Sequence, residues 1–352
     1  MVSAFPISIL VSSSHGFFGA TCHTSMPEFL IGACAVSDTA IAVDHLVKVY
    51  SRGKNEQVRA VDDLSFTVRR GSIFGLLGPN GAGKTTTLRI LTTLARPSSG
   101  RASVLGHDVV TNGLDVRRQI GVVIQEQAAE LLLTVRDNLL TFARFHGHAG
   151  ASVRRRAAGV IERFGLDMLA ETKVQDLSGG ARRRVQVAKM FMVDVPVIFL
   201  DEFSSGMDAI LKRAVIEMLR DQSAAGRTIV LTTQILTEAE ELCDDILIIN
   251  KGRSIARGDL HHLKTLVERL YDVTLTFDHP LEHLEQSLAG FHPEGVSVTH
   301  NTVRLKLRDD ESRVLELVSM LAKHGRLLRI EINGASLEDI FVELTQKSGG
   351  RS

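Results

Sequence analysis

Gly78-Pro79-Asn80-Gly81-Ala82-Gly83-Lys84-Thr85 sits between the apolar run Ile73-Phe74-Gly75-Leu76-Leu77 and a helix-like stretch entered through Thr86. Strand, glycine-rich loop and helix N-terminus therefore come in the order that a phosphate cradle needs. The glycines let the backbone fold tightly enough for successive N–H groups to point inward at α- and β-phosphates, and their aligned dipoles favour negative charge. Lys84 is spaced to reach the β- and γ-phosphates, and the Thr85 hydroxyl to ligate the Mg²⁺ that neutralises them. Together these residues imply a nucleoside triphosphate site. A second chemical run, Val197-Ile198-Phe199-Leu200-Asp201-Glu202, ends an apolar strand in two carboxylates. Asp201 at the mouth of a parallel strand suits Mg²⁺, directly or through water, because a hard cation prefers carboxylate oxygen. Glu202 is then the candidate general base.

The elements that must position these groups follow the alternation of a parallel α/β sheet. Ile41 to Tyr50 and the run around Leu64-Ser65-Phe66-Thr67-Val68 read as antiparallel strands about a polar turn, Ser51 to Glu56. After the loop helix, Ala102 to Leu105 reads as a short strand and Ile120 to Ile124 as a buried one ending at Gln125. A mainly helical block spans Thr134 to Lys173, opened by the cap-like Thr134-Val135-Arg136-Asp137. Strands return at Val197 to Leu200, Thr228 to Thr233 and Ile246 to Asn250.

Beyond Leu266 the pattern shifts. Val273, Leu275 and Phe277, then Val303, Leu305 and Leu307, then Leu328, Ile330 and Ile332 alternate with polar residues, which predicts three half-buried strands. Val314, Leu317, Val318 and Leu321 share one helix face, and Leu337, Ile340, Phe341 and Leu344 another. The result is a small β-α-β-β-α-β-α unit of ferredoxin-like type. It carries no catalytic constellation, so its expected role is packing, dimerisation or regulation.

At 352 residues with 44% hydrophobic content, the chain has room for a large domain and a small one. The 41 basic and 41 acidic residues cancel, so no global field draws the protein to nucleic acid or to an anionic membrane surface. The triplets Arg154-Arg155-Arg156 and Arg182-Arg183-Arg184 read as solvated helix faces, the second lying directly beside Ser178-Gly179-Gly180 and so placed to assist phosphate binding. Three cysteines without ligand spacing suit a reduced compartment. No apolar stretch reaches the roughly 18 to 20 residues that span a bilayer, so any membrane role is expected to be peripheral. Residues 1–38 are apolar and Ser-rich, lack the positive region of a secretory signal, and are expected to be a poorly ordered extension.

Four further elements narrow the chemistry: Gln125 closing a strand, Leu177-Ser178-Gly179-Gly180-Ala181 opening a helix, the acidic strand end, and Ser205-Gly206-Met207-Asp208 after it. With them the chain resembles the ATP-binding cassette ATPases from about Thr39 to Gly258. Within that family it is most similar to the exporter ATPases of the daunorubicin-resistance type, down to the tail Ser336-Leu337-Glu338-Asp339-Ile340-Phe341. The resemblance implies a cassette domain at 39–266 with a helical subdomain at about 126–175, a small α+β domain at 267–346 and a tail at 347–352. It implies ATP with Mg²⁺, a homodimer in which Ser178, Gly179 and Gly180 of one copy meet the γ-phosphate held by the other, and a polytopic membrane permease docked on the helical block at the cytoplasmic face of the plasma membrane. Tyr50 would stack on adenine, Gln125 would contact Mg²⁺ or the attacking water, and Asp208 would serve across the dimer interface. As a helix start, Ser178-Gly179-Gly180 also makes physical sense as a second anion site.

Two residues depart from the family pattern. Gln234 stands where a histidine usually contacts the γ-phosphate; it still donates a hydrogen bond but does not titrate near neutral pH. Phe203 stands where proline usually follows the catalytic glutamate, which leaves the turn from Ser204 to Asp208 without a fixed φ, and the two departures keep open the alternative of a low-turnover nucleotide-binding regulator. Chromosome-type, translation-factor and excision-repair cassettes are disfavoured: the chain has no long coiled-coil insertion, only one cassette, and no zinc-binding cysteine pairs.

Overall fold

The computed structural model describes residues 38–52, 56–123, 130–266, 270–280, 288, 290–308 and 311–349. The expectations for residues 1–37, for the centre of the turn at 53–55, for Gln125 and for the start of the helical block at 126–129 lie outside the described residues. In chain order come β1 (Thr39–Arg52), β2 (Glu56–Arg69), β3 (Ile73–Leu77), α1 (Lys84–Leu91), β4 (Ser99–Val104), β5 (His107–Asp108), α2 (Gly113–Arg118) and β6 (Ile120–Val123). The helical block follows as α3 (Val135–Phe145) and α4 (Ala151–Arg163). Then come α5 (Gly179–Lys189), β7 (Val197–Asp201), α6 (Ala209–Ala224), β8 (Thr228–Thr233), α7 (Leu236–Leu242), β9 (Asp245–Asn250), β10 (Arg253–Gly258) and α8 (Leu260–Thr265).

The central sheet has the order β10-β9-β3-β8-β7-β6, parallel except for β10. Its inner strands are apolar almost throughout because both faces are covered. Ile198, Leu200, Ile229 and Leu231 point into a core shared with the helical block, and their neighbours Val197, Phe199 and Val230 into a core shared with β1 and β2. The register places Leu77 beside Thr233 and Asp201 beside Thr232, so the loops after β3, β7 and β8 leave the same end of the sheet. That carboxyl end is where open α/β sheets gather ligands. A second sheet, β2-β1-β4-β5, is antiparallel and covers the loop helix. Thr134 caps α3 by accepting from the Asp137 N–H at 3.0 Å, the local bond its spacing predicts.

The C-terminal elements are β11 (Leu270–Phe277), β12 (Glu294–Thr299), β13 (Thr302–Arg308), α9 (Glu311–Leu321), β14 (Leu327–Gly334) and α10 (Leu337–Gly349). They build an antiparallel sheet of order β12-β13-β11-β14. Val273, Leu275, Phe277, Val303, Leu305 and Leu307 pack under Val314, Leu317, Val318 and Leu321 of α9. Three details differ from the sequence reading. The fourth strand that the β-α-β-β-α-β-α order implies, β12, has every residue exposed, so it shows none of the alternating burial read for the other three. Leu328, Ile330 and Ile332, expected to be half-buried, are 59%, 49% and 39% exposed because β14 is an edge strand. Finally, α10 continues past residue 346, and its Leu337 and Ile340 pack against Leu77, Ala239, Ile246 and Ile248 of the cassette instead of their own sheet.

Candidate nucleotide-binding site

Gly83 ends the glycine-rich loop at φ +104, and a Cβ there would lie 2.3 Å from the Ala60 carbonyl oxygen; only glycine lets the loop pass this close to β2. The next residue, Lys84, opens α1 and is buried, its ammonium donating to the carbonyls of Gly78 at 2.7 Å and Pro79 at 3.1 Å. Burial pulls this ammonium below the usual lysine range, while the charges of Glu202 and Asp201 oppose the shift. A cation is thus held inside the loop with two carboxylates near it.

Behind the loop, the fully buried Asp201 accepts from the Thr85 hydroxyl at 3.2 Å and from Thr232 on the adjoining strand. This couples the first turn of α1 to the ends of β7 and β8. Glu202 follows at φ +49, a conformation uncommon for a residue with a side chain. The turn is held from two sides: the Glu202 N–H donates to the Thr232 carbonyl at 2.9 Å, and Arg183 of α5 donates to the carbonyls of Asp201 and of Glu202, the latter at 2.9 Å. Arg183 is itself buried, which lowers its pKa against the pull of both carboxylates. The expectation that its triplet forms a solvated, phosphate-assisting face is therefore corrected at this position: Arg183 grips the main chain of the acidic strand end.

One cavity of about 470 Å³ is lined by Tyr50, Asn80, Gly81, Ala82, Gly83, Lys84, Thr85, Thr86, Glu202 and Gln234, with Val58, Arg59 and Ala60. Tyr50 is 38% exposed, and the Lys48 ammonium lies 4.8 Å from its ring centre. A second cavity of about 450 Å³ is lined by Gly179, Gly180, Arg182, Arg183, Gln186, Ser205 and Gly206 and shares Glu202 with the first. Here Ser178 caps α5, accepting from the Ala181 N–H at 3.3 Å, and a Cβ on Gly180 would lie 2.4 Å from the Gly206 carbonyl oxygen. Asp208 caps α6 through the Leu211 N–H at 2.9 Å. Ser178 and Asp208 are both exposed and line neither cavity. The residues expected to meet nucleotide thus fall into two groups on one chain.

Sequence reasoning missed the groups that fasten the two switch segments together. Glu238 on α7 is fully buried and accepts from Ser204 after β7, from Thr233 before Gln234 at 3.0 Å and from the Lys212 ammonium at 3.0 Å. Phe203 is also fully buried, in the core beside the helical block. The turn that lacks proline is therefore anchored by a side chain in the core. Nothing in the sequence said that a carboxylate at position 238 would be buried.

Residues 61–205, from β2 through the acidic strand end, match the family model described as ABC transporter. The chain is 39% identical over 310 residues to Nod factor export ATP-binding protein I of Ralstonia nicotianae, covering 88% of this chain and 94% of that protein. The chain belongs to the ABC transporter ATP-binding proteins. As an ABC ATPase, it is also 36% identical over 309 residues to the daunorubicin/doxorubicin resistance ATP-binding protein of Streptomyces peucetius, covering 87% and 92% of the two chains. An ATP-binding subunit of an ABC transporter superposes with a TM-score of 0.59 at 29% identity, over 65% of this chain and 93% of that one. A dimeric ATP-binding cassette bound to ADP and Pi shares the fold, with a TM-score of 0.58 at 24% identity over 62% and 98% of the chains.

Proposed function

We propose that this ABC ATPase energises an exporter of hydrophobic drugs or lipid-like compounds, as a homodimer bound to a separate polytopic membrane permease. The observation that carries the reading is the division of the site: the glycine-rich loop, Tyr50, Glu202 and Gln234 line one cavity, and Gly179 and Gly180 line another. Two copies placed head to tail would bring the Ser178 cap of each to the triphosphate lying over the Lys84 of the other. Nucleotide then joins the copies, and hydrolysis parts them.

The oxygen donors Thr85 and Asp201, 3.2 Å apart, fit a hard divalent cation shared with phosphate oxygens. Mg²⁺ bound there would neutralise charge on the β- and γ-phosphates. Lys84 binds the same phosphates, Tyr50 stacks on adenine, and Glu202 takes the proton of the attacking water, with Gln234 donating to the γ-phosphate. Gln125 is assigned to the water or the cation by resemblance alone. Among the described residues no helix is long and apolar enough to cross a membrane, consistent with peripheral attachment through the permease at the cytoplasmic face of the plasma membrane. Leu132, shortly before α3, and Phe145, at the end of α3, are 73% and 83% exposed and offer an apolar docking surface. The strand order β12-β13-β11-β14 supports a ferredoxin-like reading of the C-terminal unit.

Sedimentation of the Glu202→Gln protein tests the core of the proposal. With Mg·ATP it should run as a dimer, the added Ser178→Glu change should abolish that dimer, and affinity capture from detergent-solubilised membranes should bring down the permease. Strictly monomeric ATP-loaded protein in the presence of the permease would overturn the reading.

A further inference from the structure

The C-terminal sheet stops at β14. Among the described residues, β14 pairs with β11 on one side and with no strand on the other. Edge strands are ready templates for another chain, and proteins usually guard them with proline, lysine, bulges or short length. The opposite edge, β12, has six residues and a register shift between Glu294 and Val296. The β14 edge has eight residues, Leu327-Leu328-Arg329-Ile330-Glu331-Ile332-Asn333-Gly334, without proline or lysine; its register with β11 shifts once, at Leu328, and is continuous from Arg329 to Gly334. Ile330 and Ile332 lie opposite Leu275 and Val273, so they continue the apolar face that α9 covers further in. They and Leu328 are the residues left open.

The order of residues along this edge says what fits it. Two copies of β14 running antiparallel about a two-fold axis through Ile330 place Leu328 opposite Ile332 of the second copy, and Arg329 opposite Glu331. Within one chain Arg329 and Glu331 already form an ion pair. Across the axis each would gain a second opposite charge, which makes a four-membered ladder of alternating sign. Other centres do not work. An axis through Arg329 or Glu331 sets like charges face to face, an axis through Leu328 sets Arg329 against Leu327, and an axis through Ile332 sets Glu331 against Asn333 and Ile330 against Gly334. The edge is self-complementary in one register, as a two-fold interface requires.

We infer that β14 is a two-fold seam through which two copies of this chain join their C-terminal sheets into one. The partner is a second copy because the charge pattern complements itself. Main-chain hydrogen bonds along Leu327–Gly334 supply adhesion, the apolar row sets the face, and the Arg329 and Glu331 ladder sets the register. The seam needs no nucleotide. It goes beyond the ATP-closed pair proposed above, and its consequence for that pair is a raised local concentration of one cassette about the other.

Sedimentation velocity on a dilution series of nucleotide-free protein tests it. Wild type should dimerise; Arg329→Glu and Glu331→Arg should each weaken the dimer by about tenfold or more, since each creates two like-charge contacts across the axis. The double swap should return affinity to near the wild-type value, an outcome that general damage to the sheet does not produce. Ile330→Cys should give a disulfide-linked dimer under mild oxidation that identically treated wild type does not show. Nucleotide-free protein that stays monomeric at its highest soluble concentration, or single swaps without effect, or a double swap that fails to rescue, would each overturn the seam. The ATP-dependent dimer of Glu202→Gln, measured in parallel, reports on the other interface, so either contact can fail without the other.

Discussion

The cavity lined by Tyr50, the glycine-rich loop and Gln234 rests on groups locked from behind, whereas the one lined by Gly179, Gly180 and Ser205 borders helix caps that face solvent. In the first, Lys84 is held by two carbonyls of the glycine-rich loop and Asp201 by the hydroxyls of Thr85 on α1 and Thr232 on β8, all at the carboxyl end of the central sheet. Beside the second, Ser178 and Asp208 cap the starts of their own helices, and their side chains stay exposed. On the proposed reading, the difference teaches that one chain carries a finished phosphate grip and an unfinished second half, and only the second half waits for another copy.

The sharpest way to break that comparison is to remove the one side chain common to both cavities. Glu202→Gln should lower turnover by about 10² to 10⁴-fold while leaving ATP affinity nearly unchanged, read by steady-state hydrolysis and nucleotide titration. Equal loss of binding and turnover would place Glu202 in the grip instead of the chemistry. Next, Phe203→Pro restores the family's usual residue but empties a fully buried ring site. It should cost about 3 to 5 kcal/mol of stability, seen in chemical denaturation, without raising kcat. Tyr50→Ala should remove about 1 to 3 kcal/mol of stacking, raising the KM for ATP by about five- to 150-fold with kcat little changed.

The smallest effect concerns Lys189, on the helix that carries the exposed cap. Burial lowers its pKa to about 8, against about 10.5 for an ordinary lysine. Between those values the unfolded chain binds the extra proton, so this group contributes stability that rises with pH from about 8 to about 10.5. Lys189→Met should flatten that rise, measured as the difference between wild-type and variant melting curves below pH 8 and near pH 10. An identical pH profile for the two proteins would show that the helix tolerates the buried charge without cost.

What was legible in the sequence follows from how each residue is constrained. The glycine-rich loop and the acidic strand end could be read because their residue types answer to local geometry, as Gly83 does at φ +104. The central strands could be read because burial on both faces makes them continuously apolar. Arg183 could not, since nothing local marks which arginine of three turns inward to meet the carbonyls of Asp201 and Glu202. Strand β14 misled for the opposite reason: its alternation is sound, but a strand at the rim of a sheet has no neighbour to cover it, and periodicity does not report position within a sheet. Helix α10 showed its apolar face but not its destination, because Leu337 and Ile340 would suit either core.

Glu238 accepts from Ser204 in the segment after β7 and from Thr233 at the end of β8, and so it ties the starts of two loops into a single stiff bracket. Gln234 projects from that bracket with its side chain exposed and adds little to holding it. A change of residue type at position 234 is therefore a change of tool on an unaltered handle: histidine and glutamine are interchangeable there as far as folding is concerned, while losing the carboxylate at 238 would loosen both loops at once.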